Sequence, residues 1–174
     1  MFGTSQPPGG FAEFCQRDLR GLVTHLRVAG YDQQVAEDSA QEAMIELLGI
    51  WDAESVRDPR AWVRRVAGRM AAADVRGVRR RREVHALAAS QQELSMPAHA
   101  RSQGESEVEV VLRFFRTLPP AQQQVMAWLF DGYETWEIAE NAGMKVSTVR
   151  SNMRHAREHL RSLWEAEKKE VEAR

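Results

Sequence analysis

Apolar residues recur along most of the chain at the three- and four-residue spacing of amphipathic helices, and the alternation typical of strands is nearly absent. A first helix is predicted from Phe11 to Ala29, and Gly30 is suited to end it. A second helix is predicted from about Asp32 to Trp51, and a third begins near Pro59, a residue favoured in first helical turns. The N-terminal half is therefore expected to be a helical module.

Residues 83–104 differ from the segments on either side. They mix Ala, Ser and Gln with Pro97 and Gly104 and have no sustained apolar stripe, which predicts a flexible linker. The fold class that follows is all-α, with two small helical domains at 11–82 and 105–166 joined by the linker at 83–104. Each domain is smaller than a comfortably stable core requires, so we expect partner binding to help hold both.

The C-terminal domain is predicted to open with a helix from about 107 to 117, and another helix follows Pro119 and Pro120. The stretch from Thr135 to Met153 then has the form of a helix-turn-helix, with Gly143 in the turn, where a left-handed backbone favours glycine. The last helix carries an apolar stripe that is expected to pack inward. Its members are Val149, Met153, Ala156, Leu160 and Trp164.

A basic stripe lies beside this apolar stripe on the last helix. Its members and their polar neighbours are Arg150, Ser151, Arg154, His155, Arg157 and Arg161. A major groove about 12 Å wide admits such a helix, and its outer face can meet base edges and phosphates. One alternative is a helical hairpin with a solvated basic face. Another is a zinc site, because residues 155–159 (HAREH) formally match an H-x-x-E-H arrangement, but no third ligand is indicated.

Charge is distributed unevenly, although the chain of 174 residues has a formal net charge of only −1. Residues 57–82 hold ten arginines against two aspartates, a local charge of +8. Residues 83–137 sum to −5, and residues 145–161 sum to +4. Two basic zones are thus separated by an acidic stretch, and an anionic polymer would be attracted to the basic zones.

Composition narrows the class of protein. The lone Cys15 excludes an internal disulfide framework and a Cys-rich zinc site, in keeping with a reducing cytoplasm. The N-terminal MFGTSQPPGG does not have the form of a signal peptide, and no apolar run approaches the ~20 residues of a membrane helix. No nucleophile–base pairing or phosphate-binding loop is evident. We therefore expect a cytoplasmic protein, not an enzyme, without membrane insertion, cofactor or metal.

Three blocks of sequence follow one another in a distinctive order. They are AEDSAQEAMIELL (36–48), DPRAWVRRVAGRMAAADVRGVRRRR (58–82) and LPPAQQQVMAWLFDGYETWEIAENAGMKVSTVRSNMRHARE (118–158). With them the chain resembles, over most of residues 11–164, a bacterial RNA polymerase sigma factor of the extracytoplasmic-function type. The first block is similar to the helix that docks on the polymerase clamp. The second is similar to the element that melts and reads the downstream promoter hexamer, and the third to the domain that binds the upstream element.

The resemblance implies a function and a set of partners. It implies a sigma factor that binds core RNA polymerase and directs promoter-specific transcription initiation by recognising both promoter elements and helping to melt DNA. The expected partners are the clamp helices of the largest polymerase subunit, promoter DNA and an anti-sigma factor. The expected location is the cytoplasm, in association with the nucleoid when the factor is active.

The resemblance also implies roles for individual residues. Asp38, Gln41 and Glu42 would pair with basic groups on the polymerase clamp, and the alternative for such acids is a cluster favoured by the helix dipole. The residues implied at the downstream element are Trp62, Arg64, Arg65, Arg69, Arg76, Arg79 and Arg80. Those implied at the upstream element are Lys145, Ser147, Thr148, Arg150, Ser151, Arg154, His155 and Arg157.

Several of these positions leave alternatives open. Trp62 also suits a core tryptophan that packs the third helix. Arg69 and Ala73 stand where the family commonly has Asn and Asp, so the base read in the downstream element is left open, whereas phosphate binding by the arginines is expected. Lys145 replaces a common Ser at the helix start, which removes a capping oxygen but adds a charge that attracts phosphate.

Two other functions compete with the sigma factor. A stand-alone helix-turn-helix regulator would bind duplex DNA tightly without polymerase, at a palindromic site, but would not need the arginine-rich third helix. An RNA-binding adaptor would use the basic segment on a single strand, but the segment lacks interleaved aromatic residues.

Overall fold

The protein is described by a computed structural model covering residues 10–51, 56–88 and 107–172, and these residues form seven α-helices and no strand. The helices are α1 (Phe11–Val28), α2 (Gln33–Gly49), α3 (Pro59–Ala88), α4 (Glu107–Arg116), α5 (Pro120–Phe130), α6 (Thr135–Ala142) and α7 (Val146–Glu172). The predicted all-α fold is confirmed. We call α1–α3 the N-terminal module and α4–α7 the C-terminal module.

The N-terminal module is a three-helix bundle. Leu22 and Leu26 of α1, Leu47 of α2 and Val63 of α3 are fully buried in its core. The start of α2 is fixed by Asp32, whose carboxylate accepts a 2.9 Å hydrogen bond from the backbone N–H of Val35. Apolar residues at helical spacing and a capped start explain why α2 forms where the sequence predicts it.

The helix α3 is longer than the sequence pattern suggests. It runs to Ala88, past the predicted start of the linker at 83, whereas residues 89–104 of the predicted linker lie outside the described residues. Its start is capped by Asp58, whose carboxylate accepts a 3.0 Å hydrogen bond from the backbone N–H of Ala61. Residues 83–88 contain Ala, Leu and Glu, which are strong helix formers, and no Gly or Pro, so helix continuation is favourable.

The C-terminal module contains the predicted helix-turn-helix, which is confirmed. Gly143 ends α6 with a φ of 65°, in the left-handed region. Ile138 of α6 and Val149 of α7 are fully buried where the two helices cross. The inward stripe predicted on α7 holds for Val149 and Ala156 but is wrong for Trp164, which is 61% exposed. By that residue α7 has passed the core of the module, and the indole lies near Phe114, at 6.3 Å between ring centroids.

The two modules pack directly against each other, a contact that the sequence pattern does not predict. Val28 of α1 is buried with Leu112 of α4 and Ala127 of α5. Ala61 of α3 is buried in the core of the C-terminal module beside Trp128. The N-terminal helices therefore pack against the same helices that support the helix-turn-helix.

Candidate nucleic-acid interface

The helix-turn-helix presents the outer face of α7 to solvent. Of the eight residues predicted at an upstream element, seven are exposed and Ser151 is half-buried. The exposed residues are Lys145, Ser147, Thr148, Arg150, Arg154, His155 and Arg157. Because Val149 and Ala156 anchor the opposite face of the helix, these side chains share one exposed surface that is rich in basic groups and hydrogen-bond donors.

Local contacts on this face are few and weak. Nε of Arg154 lies 4.0 Å from a carboxylate oxygen of Glu158, and both side chains are well exposed. An exposed pair of this kind is worth at most about 1 kcal/mol, so it does not hold Arg154 away from an anionic ligand. The guanidinium of Arg154 is therefore accessible on this face.

The arginines predicted at a downstream element form a stripe on α3. Arg65, Arg69, Arg76 and Arg80 are exposed and recur at intervals of four and seven residues along the helix. The side chain of Arg79 lies outside the described residues. Trp62 is half-buried and packs against the N-terminal core, which agrees with the structural alternative for this residue.

Arg64 differs from the other arginines because it is buried between the modules. Its Nε donates a 2.5 Å hydrogen bond to Oδ2 of Asp131, at the end of α5, and Nη2 donates a 3.3 Å bond to Oδ1. The side chain of Arg64 is 1% exposed and that of Asp131 is 5% exposed. In this arrangement the guanidinium of Arg64 is occupied by a carboxylate and is not presented to DNA.

Two further residues complete the group that we call the Asp131 cluster: Asp131, Arg64, His25 and Arg60. Nδ1 of His25 lies 2.6 Å from Oδ2 of Asp131, and the imidazole packs edge-on against Trp128 at 5.0 Å. Nη2 of Arg60 donates a 3.0 Å hydrogen bond to the backbone carbonyl of Asp131. Three side chains of the N-terminal module thus converge on one residue of the C-terminal module.

Burial and pairing shift the pKa values in and beside the cluster. Burial lowers the pKa of His25, because the charged imidazolium loses its hydration, and the hydrogen bond with Asp131 offsets part of this effect. Burial alone would raise the pKa of Asp131, but the hydrogen bonds with His25 and Arg64 outweigh it and the pKa is lowered. Burial also raises the pKa of Tyr133, whose ring Arg60 covers, to about 12. The cluster therefore favours an ionised Asp131 facing a charged Arg64.

A cleft of about 840 Å³ adjoins the cluster between α3 and the helix-turn-helix. Arg65, Arg69 and Arg76 line its α3 side, and Glu140 and Asn141 line the opposite side. Nη1 of Arg65 donates a 3.1 Å hydrogen bond across the cleft to Oδ1 of Asn141. Part of the predicted downstream face therefore looks toward the C-terminal module.

The predicted polymerase-binding residues lie together on α2. Asp38, Gln41 and Glu42 are all exposed on its surface. The next turns of the helix add Ile45 and Leu48, which are 70% and 39% exposed. An acidic patch continued by exposed apolar side chains has the composition of a protein-binding surface.

Sequence reasoning did not identify the Asp131 cluster. One signal was present: His25 falls on the apolar stripe of α1 between the buried residues Leu22 and Leu26, and a polar residue at such a position needs a buried partner. Nothing local identified Asp131 as that partner, because it is 106 positions away.

The zinc alternative has no further ligand in the part of the chain that the structure describes. His155 and His159 are exposed on α7, and Nε2 of His159 lies 3.1 Å from Oγ1 of Thr117. No group of three or more His, Cys, Asp or Glu residues within the described ranges is arranged to hold a metal ion. Among the helices described, none has the length and apolarity needed to cross a membrane.

Comparison with known families finds a match in the C-terminal module. The family model of sigma-70, region 4 matches residues 109–160, which include the whole helix-turn-helix. Residues 109–160 are thus similar to sigma-70, region 4. The match supports the predicted resemblance to a sigma factor over the residues of the helix-turn-helix. No curated protein sequence matches the chain.

Solved structures share the fold beyond region 4. The sigma factor RpoE of Bartonella quintana, solved in complex with the anti-sigma factor NepR, is 17% identical with a TM-score of 0.64, over 89% of this chain and 96% of that chain. CnrH, solved in complex with the cytosolic domain of CnrY, is 20% identical with a TM-score of 0.59, over 90% of this chain and 88% of that chain. At these sequence identities the likeness shows a shared fold only, and it extends over both modules.

Proposed function

We propose that this chain binds core RNA polymerase and directs promoter-specific initiation, with its region 4 domain on the upstream element and its N-terminal module on the downstream element. The observation that carries the proposal is the exposed basic face of α7, which stands on a region 4 helix-turn-helix. Like sigma factors generally, the chain would act as a non-enzymatic regulator, in the cytoplasm and on the nucleoid when active.

We assign one promoter element to each of the two basic zones. The stripe of Arg65, Arg69, Arg76 and Arg80 on α3 would contact phosphates of the downstream element and help hold melted DNA. Phosphate contacts of this kind make affinity fall steeply as salt rises. We assign residues 11–82 to this role, residues 83–104 to the connection and residues 105–166 to the upstream element.

The exposed patch on α2 is the proposed polymerase-binding surface. Asp38, Gln41 and Glu42 would pair with basic groups on the clamp helices of the largest subunit, and the neighbouring Ile45 and Leu48 would be buried on binding. An acidic patch steers the encounter, while apolar burial at about 25 cal/mol per Å² provides affinity.

An anti-sigma factor is the third proposed partner. RpoE of Bartonella quintana is solved with an anti-sigma factor, and the fold likeness to this chain covers both modules. A protein that binds both modules at once would hold α3 and α7 away from promoter DNA.

Reconstitution with core polymerase tests the proposal. The purified chain should co-elute with core polymerase and start transcription from promoters selected out of a random library. Glu42→Lys and Ile45→Ala should each weaken the complex, whereas Glu13→Lys, an exposed acid on α1, should leave it unchanged. Failure to bind core polymerase, with tight binding of a palindromic duplex by the chain alone, would favour the stand-alone regulator instead.

A further inference from the structure

We propose that Asp131 is an autoinhibitory residue: it closes the free protein by occupying Arg64, so that the two modules separate before Arg64 can contact a DNA phosphate. Closure itself is a property of the free chain. Its consequence for DNA rests on the function proposed above.

The geometry at Arg64 is the first support. Asp131 receives hydrogen bonds from Nε and Nη2 of the same guanidinium, at 2.5 and 3.3 Å. A guanidinium offers the same pair of donors to the oxygens of a phosphate. A DNA phosphate and the Asp131 carboxylate therefore compete for the same donors, and only one of them can be bound at a time.

The position of the other arginines is the second support. Arg65 donates to Asn141 across the cleft, and Arg60 donates to the backbone carbonyl of Asp131. Consecutive basic residues at the start of α3 thus all contact the C-terminal module. Closure directs them toward region 4, whereas Arg80 further along the same helix has no described contact with that module.

The energetics of the pair suit a reversible contact. A buried ion pair adds little net stability, because the cost of removing both charges from water offsets their attraction. Opening returns Arg64 and Asp131 to water together, so this pair by itself favours the closed state only modestly. Removing one partner is different, because the remaining charge stays buried without compensation as long as the modules are closed. Opening must also separate buried apolar side chains of the two modules, among them Val28 and Leu112, and the 2.6 Å ion pair between Arg27 and Glu109.

Small-angle scattering of the free protein tests closure without DNA or polymerase. The unmodified chain should have the radius of gyration of the packed modules. Asp131→Asn should shift the equilibrium between open and closed forms by about 100-fold toward the open form, since one buried charge is left unpaired. Glu165→Gln, which makes the same charge change at an exposed position on α7, should leave the radius unchanged.

A second variant, at a surface residue, controls for loss of folding. Arg60 is half-exposed, and Arg60→Gln removes its hydrogen bond to the carbonyl of Asp131. The buried Asp18, 3.6 Å from Nε of Arg60, keeps its 2.8 Å pair with Arg17, so the variant should open the protein by up to about fivefold with its helical content intact. An extended unmodified chain, or folded Asp131→Asn and Arg60→Gln proteins that stay compact, would overturn the closure.

A mixed-sequence DNA duplex at low salt tests the masking of Arg64. Both variants lose one negative charge, so unmasking of Arg64 predicts that Asp131→Asn binds the duplex more tightly than Glu165→Gln does. An opened protein with the same duplex affinity as Glu165→Gln would overturn the masking while leaving closure in place. A chain that opens as expected but does not bind core polymerase would count against the proposed function alone.

Discussion

The carboxylate of Asp131 accepts a 2.5 Å hydrogen bond from Nε of Arg64, although the two residues are 67 positions apart and belong to different modules. The bond places a predicted DNA-binding arginine in a buried pair. It also links the end of α5, which leads into the helix-turn-helix, to the arginine-rich helix α3. One acidic residue therefore joins the arginine-rich helix to the module that carries the second basic zone.

Removal of a basic side chain on the outer face of α7 is expected to weaken upstream-element binding. Arg154→Ala should cost about 1–3 kcal/mol if the guanidinium contacts a base, with no loss of folding stability, because the side chain is 68% exposed. Fluorescence anisotropy of the polymerase complex on a selected promoter duplex measures the change. Arg20→Ala, an exposed arginine on α1, is the matched control, and an equal loss in that variant would contradict a specific role for α7.

The crossing of α6 and α7 should depend on Ile138, which is fully buried there. Ile138→Ala is expected to lower the free energy of unfolding by about 2–5 kcal/mol, the sum of lost burial and a cavity. Urea denaturation followed by circular dichroism measures it.

The same substitution at an exposed isoleucine separates stability from binding. Ile45 is 70% exposed on α2, so Ile45→Ala should change stability by less than about 0.5 kcal/mol while weakening the complex with core polymerase. An Ile45→Ala protein as unstable as Ile138→Ala would show that α2 is packed differently.

Stability is expected to fall in acid because both shifted groups in the Asp131 cluster have lowered pKa values. His25 stays neutral in the folded protein while the unfolded chain takes up a proton below the ordinary value of 6.5, so stability decreases as pH falls through that value. The contribution of Asp131 is present above its ordinary value of 3.8 and is lost as pH falls below it.

Denaturation midpoints across this pH range measure the effect. His25→Gln keeps an amide donor for Asp131 but does not titrate, so its stability should be flatter just below pH 6.5 than that of the unmodified protein. Identical slopes in the two proteins would mean that His25 is not the titrating group.

Gly30 is expected to be required for the contact between modules. Its φ is 98°, and a Cβ atom there would overlap the side chain of Gln123 on α5, which is buried and donates a 3.1 Å hydrogen bond to the carbonyl of Phe115. Gly30→Ala should therefore destabilise the protein by more than about 1 kcal/mol. Gly49→Ala is the control, because no atom lies within 4 Å of a Cβ built there, and thermal unfolding should show little change or a small gain.

The helices were predictable from sequence because their causes are local. Apolar spacing located α1 to within a residue, and Gly143 identified the turn of the helix-turn-helix because a φ of 65° suits glycine. The exposure of Arg150 and Arg154 followed from the same periodicity, since an apolar stripe that packs inward turns the neighbouring stripe outward.

The tertiary structure alone determines the contacts between residues far apart in the chain. Arg64 and Arg65 belong to the same basic helix and were assigned the same role, yet packing buries the first against Asp131 and leaves the second exposed. Trp164 shows the converse, because a residue on the predicted inner stripe becomes exposed where α7 passes the end of the core. Local spacing determines which face of a helix a side chain occupies, but whether that face meets water or another module depends on how the helices pack.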